Sequence, residues 1–324
     1  MAVHAGDLEL VAKTYPMQIN PYIFSLIKNP NDPVWRQVVP DVAELDDSKD
    51  ILDPLNEENQ SPVPNLIHRY PDRVVFLISA RCGVYCRFCM RKRVVGHEDQ
   101  ITGATINKGL KYIRLNPAVQ EVILSGGDPF LLKDKQLGNI LQSLRNISHV
   151  KIIRIHTRVL CTLPQRITPK LVQILKAFKP LYINTHFNHP VEITSQAVKA
   201  CSLLADAGIP LGCQTVLLKG VNDDSRIMVK LMRKLVQIRV KPYYLHHPDQ
   251  IKGTGHFQTS PESGLKIMAT LRGFLSGLCV PQYMLDLPGG GGKIPLTPEY
   301  IIEKKQDSWI VRNYKGEKFA YPLI

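Results

Sequence analysis

Three cysteines, Cys82, Cys86 and Cys89, stand at C-x3-C-x2-C spacing in the run Arg81-Cys82-Gly83-Val84-Tyr85-Cys86-Arg87-Phe88-Cys89-Met90-Arg91. Thiolates this close together can grip one soft metal centre. Structural zinc wants four closed ligands. A standard iron–sulfur cubane also takes four cysteines, so three would leave one iron open to another ligand. Zinc completed by a distant side chain is the alternative, with His97 the nearest histidine. The cysteines follow an apolar run, Val74-Val75-Phe76-Leu77-Ile78, that reads as a buried strand. Loops at strand ends are where α/β enzymes place their chemistry.

Other stretches carry chemistry of their own. Ser125-Gly126-Gly127-Asp128-Pro129 offers backbone without Cβ atoms, which can approach a ligand closely or simply make a tight turn. His186 and His189 sit just past an apolar strand, and Gln214 stands among apolar residues where it needs a partner or a wet site. Arg154, His156 and Arg158 alternate and would face one side of a strand, which permits anion binding. Near the C-terminus, four glycines precede Lys293 in Asp286-Leu287-Pro288-Gly289-Gly290-Gly291-Gly292-Lys293. Such a run is either a floppy linker or a means of delivering a lysine deep into a pocket. There the amine can hold an aldehyde such as that of pyridoxal phosphate (PLP).

Those residues need elements to position them. From Arg69 onward, strands alternate with helices. Strands are expected over 73–79, 121–124, 151–156, 181–185, 211–217 and 243–246, and helices over 104–115, 134–145, 169–178, 195–207, 225–238 and 261–276. Gly208 is placed to end one helix and Ser260 to cap another. Six βα units are too few for a full eight-unit barrel, and a partial (βα)6 TIM-like barrel fits, with its site at the C-terminal ends of the strands. Residues 1–68 carry a short helix within 19–28, then prolines and acids, Asp46-Asp47-Ser48-Lys49-Asp50 among them, and read as an extension that wraps the main domain. The core then runs over 69–276 and a C-terminal segment with the glycine-run lysine over 277–324.

Composition sets the class. The chain has 324 residues, 44% hydrophobic and 21% charged, with Lys and Arg exceeding Asp and Glu by 41 − 28 = 13. The basic balance permits anionic ligands, but no basic run is interleaved with aromatics, which argues against nucleic acid. Seven cysteines are too sparse for a disulfide framework, and Cys161, Cys201, Cys213 and Cys279 read as small buried residues. No apolar run approaches the roughly 20 residues that span a bilayer. The N-terminus lacks the pattern of a signal peptide, so a cytoplasmic enzyme is expected.

The cysteine motif, with Phe88 before the last thiol, resembles the radical S-adenosylmethionine (SAM) enzymes. The motifs together, with Asp53-Pro54-Leu55, Ser61-Pro62-Val63-Pro64, Arg69-Tyr70-Pro71-Asp72-Arg73 and Lys293-Ile294-Pro295, resemble the lysine 2,3-aminomutases over most of the chain. The resemblance implies a radical SAM core fold, a 4Fe-4S cluster on Cys82, Cys86 and Cys89, SAM and PLP as cofactors, and L-lysine as substrate. It implies Lys293 as the PLP lysine, Arg69 on the PLP phosphate and Arg91 on the substrate carboxylate. Asp249 and Asp286 would take the distal ammonium. Gly126, Gly127, Asp128, His186 and Gln214 would meet SAM. Two carboxylates facing one buried ammonium also argue for a diamino acid on charge grounds alone. An external one-electron donor such as flavodoxin or ferredoxin is implied, and a homo-oligomer is expected.

His246 replaces the tyrosine that the family carries three residues before the first aspartate, and Tyr243-Tyr244-Leu245-His246 resembles the branch that makes β-lysine for elongation factor P. The intact glycine run resembles the free-lysine enzymes. Arginine or glutamate as substrate are alternatives within the family. An RNA-modifying radical SAM enzyme and a metal-stabilised binding module are alternatives outside it.

Overall fold

The computed structural model describes residues 5–46 and 51–324; the first residues and part of the acidic stretch, 47–50, lie outside them. Three short helices come first: α1 (Ala5–Thr14), α2 (Pro21–Leu26) and α3 (Pro33–Val38). Both α2 and α3 start with proline at the first turn and a side-chain cap, from Asn20 and Asp32. The alternating part follows as β1 (Leu66–Tyr70), β2 (Arg73–Ser79), α4 (Gly103–Leu115), β3 (Glu121–Gly126), α5 (Asp134–Arg145), β4 (Ile152–His156), α6 (Val159–Thr162), α7 (Pro169–Lys176), β5 (Leu181–Thr185), α8 (Ser195–Asp206), β6 (Leu211–Val216), α9 (Ser225–Gln237), β7 (Lys241–His246), α10 (Pro261–Leu271), β8 (Gln282–Leu287) and β9 (Gly292–Leu296). A small antiparallel meander closes the chain: β10 (Ile301–Lys304), β11 (Ser308–Arg312) and β12 (Lys318–Pro322).

The nine strands β1 to β9 form one sheet in sequence order. β2 to β8 are parallel, and antiparallel β1 and β9 flank them as edge strands. Helices return each strand to its neighbour, as right-handed crossovers require, and the sheet curls into the expected partial barrel. Its two edges meet: the Lys293 N–H on β9 donates to the Tyr70 hydroxyl on β1 at 2.9 Å. One apolar core runs between helices and sheet, from Phe76 and Leu124 to Leu204 and Leu245. The four singly placed cysteines are buried and free, as expected.

Three details differ from the sequence expectation. The barrel gains a seventh parallel strand, β8, whose short apolar run Tyr283-Met284-Leu285 is masked by the adjacent glycines. α10 ends at Leu271, not 276, because Gly273 takes φ +88° and packs against Tyr314. β1 pairs with β2 from Leu66, ahead of the expected first strand. The proline-rich N-terminal region is anchored through Ile23, Val34, Val38 and Val39, which cluster on Val84 of the cysteine loop.

Candidate active site

β2 points its chain out of the barrel mouth into the cysteine loop. Cys82, Cys86 and Cys89 line one cavity of about 250 Å³. The N-terminal region shapes that loop from outside. Gln18 donates to the Cys82 carbonyl at 2.6 Å and Asn20 to the Gly83 carbonyl at 3.1 Å, while the Arg87 N–H donates to the Gln37 carbonyl at 2.8 Å. Arg87 is buried and forks onto Glu44 at 2.6 and 2.9 Å, and Lys92 donates to the same carboxylate at 2.8 Å. Buried charges persist only when paired in this way.

Burial pushes the Cys89 thiol up to about 11 and the Cys82 thiol well above its ordinary value, so a metal binding there displaces protons. Among the described residues, no three His, Cys, Asp or Glu groups converge closely enough for a single ion. His97 is exposed and stands outside the cavity lining. Cys82, Cys86 and Cys89 on one cavity wall would supply three thiolates to a cluster with one iron left open.

The Ser125-Gly126-Gly127-Asp128 turn packs directly on that loop. Gly126 has φ +130°, and a Cβ there would overlap the Ser79 carbonyl, so only glycine lets β3 come this close. Asp128 is buried, which pushes its carboxyl up to about 6. Its oxygens accept from Thr157 Oγ1 at 2.7 Å, the Arg158 N–H at 2.7 Å and the Phe130 N–H at 3.0 Å. Asp128 thus braces the end of β4 beside the cavity. His186 and Gln214 line the same cavity from β5 and β6. His186 Nε2 donates to Asn188 Oδ1 at 3.0 Å, and burial holds its pKa well below the usual histidine value.

A second cavity, about 840 Å³, fills the barrel interior. Arg69, Arg73 and Arg154 bring guanidinium groups to it, beside the phenols of Tyr70, Tyr243 and Tyr244. Glu57 and Glu121 line it too, and Arg154 pairs with Glu121, which leaves Arg69 and Arg73 as the guanidinium groups suited to a phosphate. The expected alternation on β4 divides between the cavities: Arg154 faces the second, Arg158 the first, and His156 both. Both cavities also share Arg91, Gln214, His246 and Lys293. Two cofactor-sized spaces therefore meet at one junction.

At that junction stand two carboxylates. The Lys293 ammonium lies against Asp286 Oδ2, with Arg69 Nη1 3.9 Å from Oδ1 and His246 Nδ1 3.7 Å from Oδ2. Burial alone would raise Asp286, but the His246 bond and the Lys293 charge hold it down to about 2. Asp249 is driven the other way, to about 7, by burial and then by the Asp286 charge. Lys293 reaches this point because the glycine run is folded. Gly290 takes φ +87°, and a Cβ there would overlap the Gln60 amide.

Several partners of the site carry no signal of their own in the sequence. Arg91 forks onto Glu57 at 2.7 and 3.1 Å, with Nη1 3.4 Å from Ser125 Oγ. Arg69 donates to Gln60 at 2.7 Å and to the Leu55 carbonyl at 2.8 Å. Glu57 and Gln60 sit in a proline-punctuated stretch without periodicity, where an acid reads as solvated surface.

A family model described as Lysine-2,3-aminomutase matches residues 268–323, and a model of the Radical SAM superfamily matches residues 76–232. The L-lysine 2,3-aminomutase of Clostridium subterminale is 50% identical over 95% of this chain and 75% of its own length. The glutamate 2,3-aminomutase of Clostridioides difficile is 44% identical over 95% of this chain and 74% of its own. Among solved structures, a radical SAM methyltransferase from Sphaerobacter thermophilus gives a TM-score of 0.50 at 17% identity over 68% of each chain, a likeness of fold. A partial parallel barrel with three thiols at its mouth, and this superfamily match, define a radical SAM enzyme. Within that class the chain belongs to the lysine 2,3-aminomutase family. It is an isomerase of the aminomutase type, with a 4Fe-4S cluster, SAM and PLP as its cofactors.

Proposed function

We propose that this enzyme moves the amino group of L-lysine from C2 to C3 to give β-lysine. The observation that carries the reading is the Lys293 alkylammonium held by Asp286 beside Asp249. The pocket already accommodates a lysine side-chain cation. When bound, the cluster and SAM supply the radical that takes hydrogen from the substrate carbon, and PLP delocalises the unpaired electron while nitrogen migrates.

The chain's own residues bind and orient. Cys82, Cys86 and Cys89 hold the cluster, and Gly126, Gly127, Asp128, His186 and Gln214 form the SAM side of the first cavity. Lys293 holds the PLP aldehyde, and Arg69, aided by Arg73, takes the phosphate. Arg91, fixed by Glu57, presents its remaining N–H groups to the substrate carboxylate. Asp249 and Asp286 take the distal ammonium once Lys293 is committed to the cofactor. Glutamate would bring a second carboxylate against two acids, which like-charge repulsion disfavours. On this reading the N-terminal region wraps the core, the nine-stranded sheet and its helices over 66–296 form it, and the last strand of that sheet, β9, carries the PLP lysine. An external low-potential donor such as flavodoxin or ferredoxin supplies the electron, in the cytoplasm, to a homo-oligomeric enzyme.

The test is anaerobic reconstitution with iron, sulfide, PLP and SAM, reduction, and mass spectrometry of products from a panel of amino acids. β-Lysine that requires every component is expected. A product from glutamate or arginine with lysine left unchanged would overturn the substrate assignment.

A further inference from the structure

We infer that Arg158 sets the reduction potential of the cluster through its hydrogen bond to the Cys86 sulfur. The inference rests on the assignment of Cys82, Cys86 and Cys89 as cluster ligands and goes beyond it. Arg158 Nη1 lies 2.7 Å from Cys86 Sγ. Its other nitrogen, Nη2, donates to Glu192 Oε1 at 2.9 Å and to Gln37 Oε1. The guanidinium stacks 5.1 Å from the centre of the Phe88 ring, and the Arg158 N–H is tied to Asp128. The side chain is 10% exposed. Four elements therefore hold one arginine with one arm of its fork, Nη1, aimed at one sulfur.

Among the described residues Cys89 Sγ, by contrast, receives a backbone donor, the Arg91 N–H at 3.4 Å. Reduction moves one electron from the external donor, which is oxidised, to the cluster, whose core goes from 2+ to 1+. The added charge spreads onto the ligand sulfurs. A charged N–H donor at Cys86 favours that reduced state, because hydrogen bonds to the sulfurs tune cluster potentials. Glu192 offsets the distant field of Arg158 but keeps the positive end of the pair on the sulfur side. Gln37 comes from α3, so the N-terminal region, which also braces the backbone of the cysteine loop, reaches the Cys86 sulfur through the Gln37–Arg158 contact.

The experiment is a redox titration of the reconstituted full-length protein, followed by electron paramagnetic resonance, without SAM or lysine. Leaving SAM out removes any contribution Arg158 makes to SAM binding. Arg158→Gln is expected to make the cluster at least tenfold harder to reduce, a midpoint about 59 mV lower for one electron. Arg158→Lys keeps the charge and loses the fork, and its midpoint is expected between the two. A midpoint for Arg158→Gln within twofold of wild type in equilibrium constant overturns the inference, even if iron content falls, because that pattern is purely structural. If Arg158→Gln holds no cluster, a wild-type midpoint in Arg158→Lys overturns it equally. A wild-type protein that assembles no cluster would instead overturn the cysteine assignment itself.

Discussion

Asp249 and Asp286 share one pocket, yet burial and the Asp286 charge push Asp249 up to about 7 while the His246 bond and the Lys293 charge hold Asp286 down to about 2. Environment alone separates them. Asp249 carries its charge only above about 7, so kcat/KM for lysine should fall as pH drops through that value, and Asp249→Asn should flatten the profile while lowering kcat/KM at least 100-fold. The same residue makes a stability prediction of opposite benefit. Its folded pKa lies above the ordinary 3.8, so the folded state binds the extra proton and stability declines as pH rises from about 4 to about 7. Asp249→Asn should melt higher than wild type at pH 8, with the gap closing toward pH 4. Lys293→Ala should retain cluster iron, lose PLP absorbance and lose turnover, and an active variant would remove its assigned role. Both aspartates and Lys293 could be named from sequence through their motifs. Glu57 could not, because nothing local tells an acid that its partner is an arginine 34 residues away.

At the scale of elements, the alternation of strands and helices was readable because each βα unit carries its own period, caps and breakers. Asp224 accepts from the Arg226 and Ile227 N–H groups in the first turn of α9, and Gly208 at φ +73° ends α8. The seventh strand and the clamp on the cysteine loop were not readable, since both depend on pairing across the sheet or across 40 or more residues of chain. The clamp is energetically substantial. Glu44 is fully buried and pairs with both Arg87 and Lys92. Glu44→Gln should therefore cost about 3–5 kcal/mol, by the usual penalty for breaking a buried pair, measurable by urea unfolding and accompanied by loss of cluster iron. In the glycine run, Gly290→Ala meets both a left-handed backbone and the Gln60 amide. It should destabilise by about 1–2 kcal/mol and weaken PLP binding measured by absorbance, because Gln60 also positions Arg69.

Across the whole molecule, burial is uneven. The barrel strands bury their outer face under the helices, whereas no residue from Lys293 to the C-terminus is fully buried. Amide exchange should therefore be fast in β10 to β12 and slow in β2 to β7, because local opening follows packing density. No described helix is long and apolar enough to cross a membrane. The ion pair between Lys293 and Asp286 has one more consequence, for the order in which the molecule is loaded. Before PLP arrives, the enzyme's own lysine competes for the carboxylate that the substrate needs. Capture of Lys293 by the PLP aldehyde vacates that berth for the incoming ammonium, so PLP and lysine should reinforce one another's first, non-covalent binding by the same factor, before the substrate amine takes the aldehyde and frees Lys293. The protein thereby refuses its substrate until the group that can act on it is in place.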